Sequence, residues 1–493
     1  MNRCLYPAKT LFLGLLTCQV IATIQVYLSN TGLYCNLMNI TSAGYLAIPN
    51  QHVRQSLIEL SPALCGGLFF TLSVGAGLSL ISLAGAWIWD RLFSRKTIFL
   101  LLFLVPWTAV LVEVNLKGFC PIVTTYFLLI PIIVFVATLR WMPAQAGQSV
   151  WLTRIVHLVS IIVLASLWVS QMDSHLFINL RDHLLLSNGV GTKINDFYYK
   201  YTLYPAEVFK SLDQKTLKTC SLEPINKKTV AGMLEKELHN HDYLPIKGNT
   251  QVDLIITEQD GILSFKNRGK TVLRTPLKDF FSRPANRLRE ISSITDKYGF
   301  FRQFTFYSLL IGFPITLYVI FSALFCSVFY LYLDFKTSSI IAASLCFLAG
   351  VTLLFFSHPG ETEKIQVKDL PKAMASCRWQ DRIAALRLIQ QKGMEIGKFQ
   401  IYQRMLKSPH IAERYWLANA LGVSRQPDTY KDLLILLDDL HPNVVCMAFH
   451  ALGQRGNKKA ITEILKRIET SDHWYEQWYA YRALRTLGWK QAR

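Results

Sequence analysis

The sequence predicts a mainly α-helical membrane protein with an extramembrane α+β domain inserted between its spans and a helical solenoid at its C-terminus. Three observations predict this fold class. Of the 493 residues, 51% are hydrophobic and only 17% are charged, long apolar runs occur in two groups, and the end of the chain repeats a helical pattern at a fixed period. A composition this apolar argues against an ordinary soluble enzyme.

Seven apolar runs are long enough to cross the roughly 30 Å hydrocarbon core of a bilayer as helices. The first follows basic residues, as a secretory signal would, but its apolar core is too long for a signal and no small-residue cleavage site follows, so it is interpreted as an anchor. About seven spans are therefore expected. The runs are Leu11–Leu28, Leu64–Trp89, Thr97–Val112, Pro121–Leu139, Ile155–Val169, Phe304–Leu333 and Ser339–Phe356.

The runs divide the chain into four parts. Residues 1–171 form a membrane domain of five spans, residues 172–303 an extramembrane domain, residues 304–358 two further spans, and residues 359–493 a solenoid. The run at Phe304–Leu333 is too short for two crossings and contains no polar turn, so a single helix is favoured over a bend at Gly312. A single helix puts both polar regions on one side of the membrane.

Loop charges predict which side that is. Arg and Lys cluster in alternate short loops, whereas only Arg54 and Lys117 lie in the others. By the positive-inside rule the N-terminus is cytoplasmic, and both large domains lie on the outer side of what we expect to be a bacterial inner membrane. The formal net charge of +19 fits a basic face near anionic lipid headgroups better than nucleic-acid binding, so no nucleic-acid partner is expected. The clusters are Arg3/Lys9, Arg91/Arg95/Lys96 and Arg140/Arg154.

The sequence contains no motif for a cofactor or a metal. The ten cysteines show no CxxC pair and no Cys/His spacing typical of zinc, and no Walker loop, GxSxG elbow or HExxH motif is present. Cys35 and Cys120 fall in predicted outer loops, where they either form a disulfide or stay as two free thiols. Glu113 is the only acid clearly within a span, and it lies near the end of that span, which gives no support for an ion pathway.

Residues 172–303 show an α+β pattern. Helices are expected around Lys228–His239 and Ala285–Ile294, and the run VDLIITEQDGILSF predicts a hairpin that turns at Asp260-Gly261. The stretch from Asp196 to Phe209 holds six aromatic rings, which suits the headgroup zone of a bilayer, a protein-docking surface or a ligand pocket. A pocket would recruit Arg181, Asp182, His183, Asn195, Asp196 and Glu207.

The second apolar run is rich in small residues. Pairs such as Ser73/Gly77 and Gly75/Ser79 are four positions apart, a spacing that lets helix backbones approach closely. The stripe is predicted to pack within this protein, with docking onto another membrane subunit as the alternative.

The end of the chain repeats. Equivalent positions are Leu388, Ala420, Ala451 and Ala483, separated by 32, 31 and 32 residues, and a second amphipathic helix precedes each unit. Small residues three apart let neighbouring units pack closely. The units are RIAALRLIQQKG (382–393), RYWLANALGVSR (414–425), VVCMAFHALGQRG (444–456) and QWYAYRALRTLG (477–488).

The stretch LLDDLHPNVVCMAFHALGQRG resembles a HEAT repeat of the short, bacterial kind, and the resemblance extends over about 125 residues, from Asp369 to Lys490. It implies four helix pairs and a curved surface that binds other proteins. Some HEAT-like proteins are metal enzymes with repeated His-Glu dipeptides, but this region has none. Other HEAT-like proteins are lyases that attach bilin chromophores, but Cys377 and Cys446 are interpreted as core residues rather than chromophore attachment sites.

The last unit carries more aromatic rings than one buried face can hold, and a terminal repeat usually has a polar cap. These rings either pack on the preceding repeat or lipid, or bind a partner protein. The sequence thus predicts a membrane scaffold or assembly protein whose solenoid binds partners; alternatively, it is a membrane enzyme or transporter subunit whose 172–303 domain binds substrate and whose solenoid is regulatory. The rings are Trp474, Tyr475, Trp478, Tyr479, Tyr481 and Trp489.

Overall fold

The computed structural model describes residues 2–143, 151–172, 176–225, 227–248, 252–357 and 365–491. Seven of its helices are long and apolar enough to cross a membrane, as the sequence predicted. The first of them continues well past the apolar run that revealed it. The seven are α1 (Asn2–Ser42), α2 (Leu60–Arg91), α3 (Leu101–Asn115), α4 (Pro121–Trp141), α5 (Trp151–Ser170), α11 (Gly299–Phe329) and α12 (Phe335–Ser357).

Small residues bring α1, α2 and α11 together. A Cβ atom added to Gly75 on α2 would lie 2.8 Å from Cys18 Sγ on α1, and one added to Gly77 would meet Ser308 on α11. The stripe of small residues on α2 therefore packs within this chain. The apolar run around Gly312 forms one helix, α11, rather than two, and contains a π-helical turn at Ser308–Gly312.

The domain between α5 and α11 contains a five-stranded sheet of order β2-β1-β3-β4-β5. Strand β1 is parallel to both β2 and β3, whereas β3, β4 and β5 form an antiparallel meander. Asp260 and Gly261 both have positive φ, at 52° and 78°, which a tight β3–β4 turn requires. The strands are β1 (Lys218–Ser221), β2 (Tyr243–Pro245), β3 (Leu254–Gln259), β4 (Ile262–Asn267) and β5 (Lys270–Pro276).

Helices cover this sheet and connect it to the bundle. The core between sheet and helices includes Leu234, Phe265, Phe280 and Ile291. Both helices predicted from the sequence are present, whereas β1, β2 and β5 were not predicted. The helices are α6 (Gly189–Tyr201), α7 (Leu203–Val208), α8 (Lys228–Asn240), α9 (Leu277–Ser282) and α10 (Pro284–Thr295).

The C-terminal region consists of four helix pairs. We call the second helix of each pair an inner helix. The inner helices stack directly on one another, since a Cβ atom added to Gly453 would lie 3.0 Å from Cα of Ala483 in the next unit. The pairs are α13 (Leu370–Met374) with α14 (Trp379–Lys392), α15 (Tyr402–Met405) with α16 (Ile411–Val423), α17 (Pro427–Ile435) with α18 (Pro442–Arg455), and α19 (Ala460–Thr470) with α20 (Trp474–Thr486).

Ion pairs link consecutive units as well. Arg382 of α14 binds Glu413 of α16, and Arg414 of α16 binds Asp439 ahead of α18 at 2.6 Å. Cys446 is buried in the core, as interpreted from the sequence, but the same interpretation of Cys377 is wrong, because this residue lies exposed in the turn before α14.

Candidate functional site

The inner helices of the solenoid bind a segment of the same chain. This docking segment, residues 176–209, comprises a helical turn at Leu176–Asn179, a π-helical turn at Leu180–Leu185, α6 and α7. It contacts α14 and α16 near its beginning, α18 in its middle and α20 near its end. The segment and the solenoid therefore run alongside each other in the same order.

The first contact centres on a buried carboxylate. Asp182 is fully buried and binds Arg181 at 2.7 Å and Arg387 of α14 at 2.6 Å. Trp416 of α16 donates its indole N–H to the same carboxylate at 2.7 Å, and the Arg181 guanidinium lies over the Tyr415 ring, 3.7 Å from its centroid. One aspartate thus joins the docking segment to two repeats through charge-assisted hydrogen bonds.

The second contact is made by α18. Asn195 of α6 donates its side-chain amide to Asn443 at 2.8 Å, with both residues buried. One position on, Asp196 pairs with His441 at 3.3 Å. Burial lowers the pKa of His441, although the neighbouring Asp196 carboxylate acts in the opposite direction. Neutral imidazole is therefore the form that this interface favours.

The third contact involves the aromatic end of the solenoid. Tyr475 packs against Tyr199 with ring centroids 4.8 Å apart and hydrogen bonds the Thr202 hydroxyl at 2.9 Å. Trp474, only 5% exposed, packs edge-on against Tyr204 of α7. The surface that covers these rings is thus another part of the same chain. Burial raises the pKa of Tyr475, in keeping with a desolvated phenol.

Beyond the docking segment, α20 also holds the sheet. The Tyr481 hydroxyl donates to Asp242 at 2.6 Å, and Arg485 binds the same carboxylate at 3.0 Å. Asp242 follows α8 and immediately precedes β2. The last inner helix is therefore fixed to the α+β domain as well as to the docking segment.

A fourth contact joins the solenoid to the segment that follows α1. The Asn50 amide donates to the carbonyl oxygens of Ile468 and Ser471, at 2.7 and 2.9 Å, and Gln477 accepts from the Asn50 backbone N–H at 2.7 Å. Gln491 exchanges two hydrogen bonds with the Leu46 backbone. These contacts lie beyond the C-terminal end of α1, and α20 also binds Asp242, so the α+β domain and the solenoid lie at the same end of α1.

The remaining aromatic residues of the last repeat lie at the edge of the interface. Trp478 is half-buried and packs between the Tyr479 ring and the Arg482 guanidinium, and Trp489 is half-buried beside Tyr481. Of the six predicted rings, Trp474, Tyr475 and Tyr481 thus contact the docking segment or the α+β domain directly, whereas these three flank them.

The predicted polar cluster does not form a single pocket. Arg181 and Asp182 are paired, and His183 lies against the Trp379 ring of α14, 5.7 Å between centroids. Asp196 binds the third repeat instead, and Glu207 pairs with Lys210 at a separate cavity beside α1. Among the described residues, no group of three His, Cys, Asp or Glu side chains could hold a metal ion.

The contacts of Asn50, Gln477 and Asp242 were not predicted from the sequence. Single amides and carboxylates in loops belong to no periodic pattern, so nothing marks them as partners of residues several hundred positions away. Asp182 carries a detectable signal, because it interrupts the leucine-rich run LFINLRDHLLL, where an acid needs a partner if the run is buried.

One face of α6 remains uncovered. Val190, Ile194, Phe197 and Tyr198 follow helical spacing and are all exposed, Val190 at 72%. The opposite face carries Asn195 and contacts the solenoid. The solenoid therefore covers one side of α6 and leaves this apolar stripe exposed.

Within the described residues, Cys35 is exposed and Cys120 is buried, and both are free thiols rather than a disulfide.

No curated protein and no solved structure matches the chain. A family model for HEAT repeats does match, over residues 400–485. This match covers nearly all of the second, third and fourth helix pairs and confirms, for that part of the chain, the resemblance to HEAT repeats seen in the sequence.

Proposed function

We propose that this protein is an integral membrane scaffold whose HEAT repeats form a rigid head with the α+β domain and bind partner proteins. HEAT repeats generally mediate protein–protein interaction. The observation that carries the proposal is that the inner helices bind the docking segment of the same chain at every repeat, because a solenoid fixed in this way presents a constant outer surface.

Insertion in a membrane is supported by the outward-facing side chains of the seven apolar helices. On α1, Leu16, Val20 and Ile24 recur once per turn and are more than half exposed, which is costly in water and favourable in lipid. The exposed apolar stripe on α6 suits the headgroup zone. With the loop charges, this arrangement favours an outer location for the head and a cytoplasmic N-terminus.

Partner binding is proposed for exposed apolar side chains of the third repeat. Leu440, in the turn between α17 and α18, is 100% exposed, and Ile435 near the end of α17 is 56% exposed. Two large apolar side chains this open, five positions apart, fit the rim of a protein contact better than solvent.

Site-specific photo-crosslinking tests this proposal. A photoreactive amino acid at Ile435 or Leu440 should give crosslinks to other membrane or envelope proteins in living cells. The same probe at Asn443 or Tyr475 should crosslink only within the chain, to the docking segment. Intermolecular crosslinks from Asn443 with none from Leu440 would mean that a partner displaces the docking segment, contrary to the proposal.

A further inference from the structure

A cavity of about 400 Å³ with both polar and apolar lining lies beside the C-terminal half of α1. Its walls come from α1, the beginning of α4, the end of α7 and the segment leading into β1. Arg268, in the tight turn between β4 and β5, also lines it. The α1 wall begins within the last turn of the predicted apolar run and continues past it, so the cavity lies at the expected depth of lipid headgroups.

Buried amides on α1 line the cavity without internal partners. Gln25 is 1% exposed, and within the described part of the chain neither atom of its amide is hydrogen bonded. The same holds for Nδ2 of Asn30, also 1% exposed, and for Oδ1 of Asn36. Leaving one such group unsatisfied costs about 1–3 kcal/mol, and Gln25, Ser29 and Asn36 share one face of α1. A ligand with hydroxyl or amine groups would satisfy them.

The opposite wall is cationic. Lys210 is paired with Glu207 and Lys215 with Asp253. Among the described residues, Arg268 forms no ion pair, so its charge remains available to a ligand. The guanidinium of Arg268 favours an anion, and a phosphate group has the charge and the acceptor geometry that a guanidinium recognises.

The remaining lining is apolar and open. Leu33 of α1 and Pro121 and Ile122 of α4 provide apolar lining that acyl chains could contact. A Cβ atom added to Gly32 would have nothing within 4 Å. This position is therefore a gap in the wall that a larger side chain can fill without displacing protein atoms.

We infer that this cavity binds a phosphate ester bearing hydroxyl groups, with the phosphate held by Arg268 and the hydroxyl groups held by Gln25, Asn30 and Asn36. The ester is either the head of a membrane phospholipid or a water-soluble molecule. Binding of a lipid depends on the membrane placement proposed above, whereas the phosphate-ester chemistry depends on the lining alone.

Native mass spectrometry of the full-length protein in detergent tests the inference, with phosphatidylglycerol, phosphatidylcholine and glycerol 3-phosphate as probes. We expect phosphatidylglycerol to bind at least tenfold more tightly than phosphatidylcholine, whose head lacks free hydroxyl groups. Gly32→Trp should reduce that binding at least tenfold by filling the cavity, and Arg268→Gln should weaken it about tenfold. Competition by glycerol 3-phosphate would identify a water-soluble ester as the ligand, and its failure to compete would identify the lipid.

Matched controls separate loss of the site from loss of the fold. Gly232→Trp fills open space on α8, and Arg274→Gln removes an exposed cation from β5 of the same hairpin; both should bind like the wild type. Equal binding by the wild type and Gly32→Trp, or no selective binding by the wild type, would overturn the inference. Neither result would affect the crosslinking pattern at Leu440, so the two proposals fail independently.

Discussion

Replacing Asp182 with alanine should release the docking segment from the first two repeats. The side chain is fully buried and holds two arginines and the Trp416 indole N–H within 2.6–2.8 Å. Removing one partner of a buried ion pair typically costs about 3–5 kcal/mol, because the remaining charges stay buried and unpaired. Since 1.4 kcal/mol corresponds to a factor of ten, local opening should become more frequent by a factor on the order of a hundred to several thousand.

Hydrogen–deuterium exchange of the full-length protein measures this opening. Backbone amides of the turn at Leu180–Leu185, which contains Asp182, should exchange faster in Asp182→Ala by that factor, whereas amides of α4 in the bundle should not change. Asp438→Ala is the matched control, because it removes an aspartate whose ion pair with Arg467 is largely exposed and should cost less than about 1 kcal/mol. If the Leu180–Leu185 turn stays as protected in Asp182→Ala as in the control, the carboxylate does not hold the two parts together and the reasoning is wrong.

Three further predictions concern the same head. Asn50→Ala should destabilise the contact between the segment after α1 and the solenoid by about 1–3 kcal/mol, because it leaves buried carbonyl oxygens without a donor. Backbone amides of the α19–α20 turn should exchange faster in this variant, and unchanged exchange would argue against the contact. Gly453→Val should lower the unfolding temperature, since the added atoms overlap the next inner helix and overpacking typically costs about 1–3 kcal/mol, whereas Gly232→Ala, which meets open space, should not. Burial lowers the pKa of His441 and His473, so the unfolded state binds more protons and exchange protection of α18 and α20 should fall as the pH drops below about 6.5; replacing both histidines with glutamine should flatten that dependence.

Periodicity made much of the fold predictable. The seven apolar runs, the 31–32-residue repeat and the Asp260-Gly261 turn are local signals, and each corresponds to an element of the structure. Strands β1 and β2 escaped prediction because they contain only four and three residues, too few to show an alternating pattern.

Only part of the interaction site could be predicted from the sequence, for a different reason. The aromatic residues around Trp474 were recognised as needing a cover, but the position of that cover depends on contacts between residues more than 200 positions apart. Asp182 and Asp196 were grouped as one pocket because they are close in sequence. In the structure, the intervening turn of the docking segment carries them to different repeats, which single-sequence reasoning has no means of predicting.

The parallel course of the docking segment and the solenoid also sets the number of repeats. Most solenoids can gain or lose a unit at little cost, because each unit contacts only its neighbours. Here the first two inner helices share Asp182, and the last meets Tyr199 on the same segment of fixed length. Inserting a fifth unit in the middle would shift every later contact out of register. The fixed length of the docking segment therefore restricts the solenoid to four units.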